Sequence, residues 1–195
     1  YIMRDKIYLY VAFKCFTETP NHAIGSITIR DDWLESDDFV NLYLDTYHDG
    51  RTGYGFRTNP IGTQADWKIL DEGARDNRWD GVWKSAGSIT NNAWIAEIAI
   101  PFGTLRYGKN EIWGVWFGRY NRVINESSVW CPTDDNNFHV SQFGHLSGIK
   151  ELPKGKPFDF TPASVTKFKN LSESNSPDNS EGINQEFGLD VKYRP

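Results

Sequence analysis

Residues 37–66 limit the fold more than any other stretch. Val40, Leu42 and Leu44 alternate with Asn41, Tyr43 and Asp45, the period of two that gives a strand one apolar face. His48-Asp49-Gly50 reads as a three-residue turn with Gly50 left-handed. That turn sets Val40, Leu42 and Leu44 opposite Thr58, Phe56 and Tyr54, and Asn41, Tyr43 and Asp45 opposite Arg57, Gly55 and Gly53. A loop one residue shorter would put the leucines opposite glycines and the arginine. Register is strongly specified wherever one face is buried, so the three-residue turn is expected. Asn59-Pro60-Ile61-Gly62 then turns the chain into a third strand at residues 63–70.

The second face of this hairpin carries an amide, a phenol, a carboxylate and a guanidinium over a floor thinned by Gly53 and Gly55. Glycine within a strand often marks close approach of a ligand or another backbone. Two readings stand. One is a shallow polar floor for a hydroxyl-rich ligand, and the other is a solvated face with the glycines at a bulge.

Similar signals recur along the chain. Residues 7–16 form a strand with bulk on both faces, ended by Thr19-Pro20-Asn21, and residues 24–30 suit an edge strand. Residues 71–78 are polar and irregular. Residues 79–89 and 93–100 form a second hairpin, stopped at Pro101, which has no N–H to give. A single helical turn fits residues 102–106. In residues 112–121, Trp113, Val115 and Phe117 share one face, and Trp116 and Tyr120 the other. Short strands fit residues 127–131 and 143–149. Aromatic residues make up 15% of the chain, with eight Trp and a single Met, and no long stretch has a 3.6-residue apolar period. The expected fold class is all-β, an antiparallel β-sandwich spanning residues 1–150.

Composition changes beyond that point. Residues 152–157 read as a linker. Strands at 158–168 and 186–193 flank the polar stretch 170–182, which has nothing to bury and is expected to be mobile. Residues 151–195 thus form a C-terminal β extension, the start of a second β-rich domain. The chain opens at Tyr1 and reads as a piece of something longer.

A formal net charge of −5 argues against a nucleic-acid partner. No apolar run approaches the ~20 residues of a membrane-spanning helix. Cys15 and Cys131 are equally open to a disulfide or to free thiols, and their spacing does not suggest zinc. The carboxylate pairs Asp31-Asp32, Asp37-Asp38 and Asp134-Asp135 lie in polar loops. Glycoside hydrolysis needs two carboxyls roughly 5–9 Å apart across a cleft, which adjacency does not imply. Calcium, which takes six to eight oxygens, suits such loops better than catalysis does, and plain solvation suits them best. His22, His48, His139 and His145 stand singly. Trp33 stands in an acidic loop with few apolar neighbours. It is either a ring for stacking on a sugar, whose hydroxyls nearby amides and carboxylates take, or a lid on the core.

Several of these motifs together resemble a known family. Residues 9–15 (LYVAFKC), Arg30-Asp31-Asp32, residues 37–45 (DDFVNLYLD), Trp130-Cys131-Pro132 and Phe143-Gly144-His145-Leu146 are similar to the family 9 carbohydrate-binding module. Residues 54–66, Trp79-Asp80 with Val82-Trp83, residues 96–102 and Ser141-Gln142-Phe143-Gly144 resemble a bacterial subgroup of it, in which the module precedes an uncharacterised domain. The resemblance covers residues 1 to about 150. It implies a carbohydrate-binding-module β-sandwich, of jelly-roll or immunoglobulin-like type, without catalysis of its own, that clasps a terminal sugar between two aromatic rings. Trp33 falls at the first ring, and the second, counted from Trp130, falls at Phe138. Asn41 stands where the family often has a glutamate, and Arg57 matches a nearby arginine. Trp33 and Phe138 are therefore expected to stack, and Asn41, Tyr43, Asp45 and Arg57 to meet hydroxyls. The partners implied are a carbohydrate ligand and a C-terminal β-rich domain that could be an outer-membrane barrel. The location implied is extracellular, periplasmic or outer-membrane-associated. Calcium is the one metal the resemblance suggests, without an assigned ligand set. Attachment to a glycoside hydrolase, and an exported structural domain without a sugar site, are the alternatives.

Overall fold

The computed structural model describes residues 1–17, 22–131, 138–152, 158–169 and 182–193. The turn expected at residues 19–21, the Asp134-Asp135 pair, Pro132, residues 153–157 of the linker and nearly all of the polar stretch 170–182 lie outside them. The chain divides into two compact units, Tyr1–Gly155 and Lys156–Pro195.

The first unit holds β1 (Ile2–Arg4), β2 (Tyr8–Phe16), β3 (Phe39–Asp45), β4 (Gly53–Thr58), β5 (Gln64–Leu70), β6 (Ala74–Asp76), β7 (Lys84–Ile89), β8 (Ala93–Pro101), β9 (Ile112–Asn121), β10 (Glu126–Val129) and β11 (Gly144–Ser147). A four-stranded sheet runs β1-β2-β8-β7. A seven-stranded sheet runs β10-β9-β3-β4-β5-β6, with β11 beside β9. Every pairing is antiparallel. The sheets pack face to face. Leu9 and Val11 of β2 and Ile98 and Ile100 of β8 join Leu42, Leu44, Tyr54, Phe56, Trp113 and Val115 in one buried cluster. The fold is an antiparallel β-sandwich.

The expected register holds in β3 and β4. Val40, Asn41, Leu42, Tyr43 and Leu44 pair with Thr58, Arg57, Phe56, Gly55 and Tyr54. Gly50 is left-handed, at φ 68°. The connection is longer than three residues, however, because side chains take over from the ladder. Asp45 accepts from the N–H of Asp49 (3.2 Å) and Gly50 (2.9 Å), and Asp49 from the N–H of Arg51 and Thr52, both 2.8 Å.

One more difference has a physical cause. Residues 24–30 are not a strand, because their N–H groups are taken by carboxylates. Asp38 accepts from Ile24 N at 2.5 Å, and Asp37 from Ser26 N and Ile27 N, both at 2.9 Å. In the second hairpin the strand begins only at Lys84, and residues 102–106 contain a single 3-10 turn, Phe102–Thr104. No helix among the described residues is long and apolar enough to cross a membrane.

In the second unit β12 (Phe158–Lys169) and β13 (Gly182–Tyr193) pair along their whole length as a two-stranded ribbon.

Candidate functional site

The outer face of the seven-stranded sheet is arranged in rows. One row lines up Gly118, Asn41, Arg57 and Ala65 across β9, β3, β4 and β5, and the next Trp116, Tyr43, Gly55 and Trp67. The rings need the glycines. A Cβ on Gly55 would stand 2.3 Å from the Trp67 indole, and one on Gly118 2.5 Å from the Trp116 ring. The close approach expected at Gly55 is therefore that of a side chain. At Gly53 it is that of the Leu44 carbonyl, 2.7 Å from where a Cβ would be. No bulge is involved.

Two loops close over these rows. One brings Trp33, half-buried, to 5.5 Å from the Trp67 ring. The other brings Phe138, also half-buried, to 4.3 Å from Tyr43 and 5.8 Å from Trp116. Both loops feed one cluster with Tyr43, Ala65, Trp67, Ile69, Val140 and Phe143. Asp31 and Leu34, on either side of Trp33, have φ of 62° and 55°, left-handed values that cost a non-glycine residue roughly 1–3 kcal/mol and often mark ligand clamps.

Arg57 ties the loop to the sheet. Its Nε donates to Asn41 Oδ1 at 2.8 Å and its Nη1 to the Trp33 carbonyl. The guanidinium lies 3.9 Å from the Phe39 ring centroid and within 5.8 Å of Trp33. Burial pulls the Arg57 pKa down, and nearby Tyr43 pulls it back up. Burial also raises the Tyr43 phenol, which the positive charges of Arg75 and Arg57 oppose. Arg75, exposed, lies 5.3 Å from the Trp33 ring and 5.1 Å from Trp67. Beside Trp33 is a pocket of about 70 Å³ lined by Asp31, Ala65, Asp66, Trp67 and Asn77.

The structure thus brings Trp33, Asn41, Tyr43, Arg57 and Phe138 onto one face. The hydroxyl contacts expected of the polar four do not follow directly. Asn41, Tyr43, Asp45 and Arg57 are 8%, 2%, 1% and 6% exposed. Asn41 and Arg57 satisfy each other, and Asp45 spends its carboxylate on the turn. Sequence reasoning passes over Trp67, Trp116 and Arg75. The signal for Trp67 was present: Ala65, Trp67 and Ile69 alternate on the strand that pairs with the glycine-thinned one.

The pairs Asp31-Asp32 and Asp37-Asp38 are engaged in structure. For Asp37, burial would raise the pKa, but donors from Ile27, Ser26 and Asn59 outweigh it and hold the carboxyl below its usual range. Asp66, buried, accepts from Trp83 Nε1 at 2.7 Å and Gly81 N at 2.9 Å, and burial raises its pKa. Among the described residues no group of three or more His, Cys, Asp or Glu is set to hold a metal. Cys15 and Cys131 are both free thiols, and burial pushes Cys15 up to about 11.

No family model and no curated protein matches the chain. Solved structures do match. A candidate carbohydrate-binding protein from Bacteroides uniformis aligns with a TM-score of 0.60 at 16% identity, over 75% of each chain. A family 9 carbohydrate-binding module from Caldicellulosiruptor kristjanssonii aligns with a TM-score of 0.51 at 16% identity. Its complex with cellotriose covers 75% of this chain and 71% of that one, and its complex with glucose covers 80% and 75%. At this identity the likeness is one of fold.

Proposed function

We propose that residues 1–150 are a non-catalytic carbohydrate-binding module that takes a sugar, the end of an oligo- or polysaccharide, on the outer face of the seven-stranded sheet. One observation carries the reading: Trp33 and Phe138, far apart in sequence, reach the same cluster, and each residue is only partly buried. A sugar presents apolar C–H faces to such rings and hydroxyls at its edges. Trp33 and Phe138 stack on the ligand. Asn41, Tyr43 and Arg57 hold the rings from beneath. The exposed groups around Trp33, which are Asp31, Asn77 and Arg75, take the hydroxyls. The neighbours that bind cellotriose and glucose support this ligand class.

The sequence resemblance supports membership of the bacterial subgroup, in which the module is exported and residues 151–195 lead into a further β-rich domain. A second reading, an exported structural domain without a sugar site, draws on the small volume of the pocket. It is far below the ~300 Å³ of ordinary ligand sites. A glycan array on the full chain, with and without calcium, separates the two. Retention of a glycan by wild type, lost in Trp33→Ala and in Phe138→Ala with both variants still folded, is the result expected. Retention unchanged in both variants, or no retention on any glycan, refutes the module reading.

A further inference from the structure

The two sheets differ in what lies on their outer faces. Loops close over that of the seven-stranded sheet, whereas that of the four-stranded sheet carries an open groove of about 730 Å³. Leu9, Val11, Ile98 and Ile100 point into the core, so alternation sends Tyr10, Ala12, Glu97 and Ala99 outward. The register lines these up in two rows. Met3, Tyr10, Ala99 and Lys84 run across β1, β2, β8 and β7, and Ala12, Glu97 and Ala86 run beside them. Three alanines thus make a low floor. Met3, 67% exposed, and Tyr10, whose hydroxyl donates to Asp5 at 3.0 Å, form a raised rim on one side of it. Lys84 and Glu97, both exposed, stand at the floor as one cation and one anion on neighbouring strands. No ion pair joins the two. No undescribed stretch adjoins the lining residues in sequence.

We propose that this face binds a second copy of the same chain in a twofold dimer. In such a contact residue i meets residue j while j meets i, so a patch pairs with itself only if it carries its own complement. This one does, in charge and in relief. Lys84 of one protomer is set against Glu97 of its partner, twice over, and the rim of each protomer has the alanine floor of the other to fill. The floor offers methyl groups rather than a flat ring, which suits a protein surface better than a sugar. Area agrees. Four strands about 4.8 Å apart, with six residues in β7, make a face about 20 Å on a side. Two such faces bury on the order of 1,000 Å² of accessible surface, the small end of specific interfaces. The dimer is therefore weak and is oriented by its charge pairs. The proposed sugar-binding face is on the other sheet, so the dimer leaves it open in both protomers and does not depend on it.

Sedimentation equilibrium of the full chain tests this. Wild type should pass from monomer towards dimer between about 1 and 300 μM. Lys84→Glu and Glu97→Lys should each weaken association about tenfold or more, because like charges then meet at both pairs. The variant carrying both changes should associate within about threefold of wild type, since each pair is restored with its signs exchanged. Ala99→Glu, which fills the floor with charge, should stay monomeric. All these side chains face outward, so the thermal midpoints should hardly change. A wild type that stays monomeric, single variants that associate as wild type does, or a double variant as weak as the singles overturns the proposal. So does a monomeric wild type that keeps a glycan in Trp33→Ala and loses it in Tyr10→Ala, because the groove then holds a sugar. Should a variant not fold, the amide shifts of wild type on dilution must be largest at residues 10–12, 84–86 and 97–99. Shifts centred elsewhere are equally fatal.

Discussion

The two faces of the seven-stranded sheet are buried by different means. The inner face is closed by another sheet, through aliphatic and aromatic residues of β2, β3, β4, β8 and β9. The outer face is closed by two loops, and the residues beneath them include Asn41, Arg57 and Tyr43. All seven residues of β3 are buried in consequence, although Asn41, Tyr43 and Asp45 carry polar groups. The lesson is that alternation identifies which residues share a face. It does not identify which face meets water. A sheet-covered face depends on volume, and a loop-covered face depends on the hydrogen bonds that hold the loops.

The largest expected effect lies on the inner face. Leu42→Ala should cost about 3 kcal/mol in denaturant unfolding and leave sugar retention per folded molecule unchanged. A change in affinity there would break the separation of the faces. Next comes Gly55→Ala. It drives a methyl into Trp67 and should cost about 2 kcal/mol by overpacking, with loss of sugar retention as the rings shift. A fully stable variant would show that Trp67 is free to move.

Smaller still is Trp33→Ala, at about 1 kcal/mol, since the ring is half-buried and the Arg57 bond goes to the backbone carbonyl. Sugar retention should nevertheless disappear. A cost nearer that of Leu42→Ala would make Trp33 a core residue and the outer face a scaffold. The mildest effect is a pH dependence. The Asp37 carboxyl, which anchors residues 26 and 27 beside the Trp33 loop, has its folded pKa held down. Its stabilisation is complete above the unfolded value of about 3.9 and is lost as pH falls further, through the folded pKa. Hydrogen exchange at pH 3 should therefore rise at residues 24–27 before it rises in β3 or β9. Simultaneous loosening of both faces would deny the contrast.

Much of this was legible before any coordinates. The register that pairs Asn41 with Arg57 and Tyr43 with Gly55 followed from alternation and one glycine. So did the split of β9 into Trp113, Val115 and Phe117 against Trp116. Residues 24–30 misled, because a short apolar stretch looks the same whether its N–H groups face a strand or two aspartates. Trp67 was readable as an outer-face ring only once Gly55 was seen as space for it. Arg75 and Asn77 carried no local signal, as they gain meaning only from the ring that folds over beside them.

Period and turn chemistry are local, so the sequence by itself determined the longer strands, their register in the central hairpin and the sandwich class. Which face was to be covered, and by what, depends on where loops distant in the chain come to rest. That is why only the tertiary structure decided that Asp45 serves a turn and that Asn41 and Arg57 support Trp33 rather than face solvent.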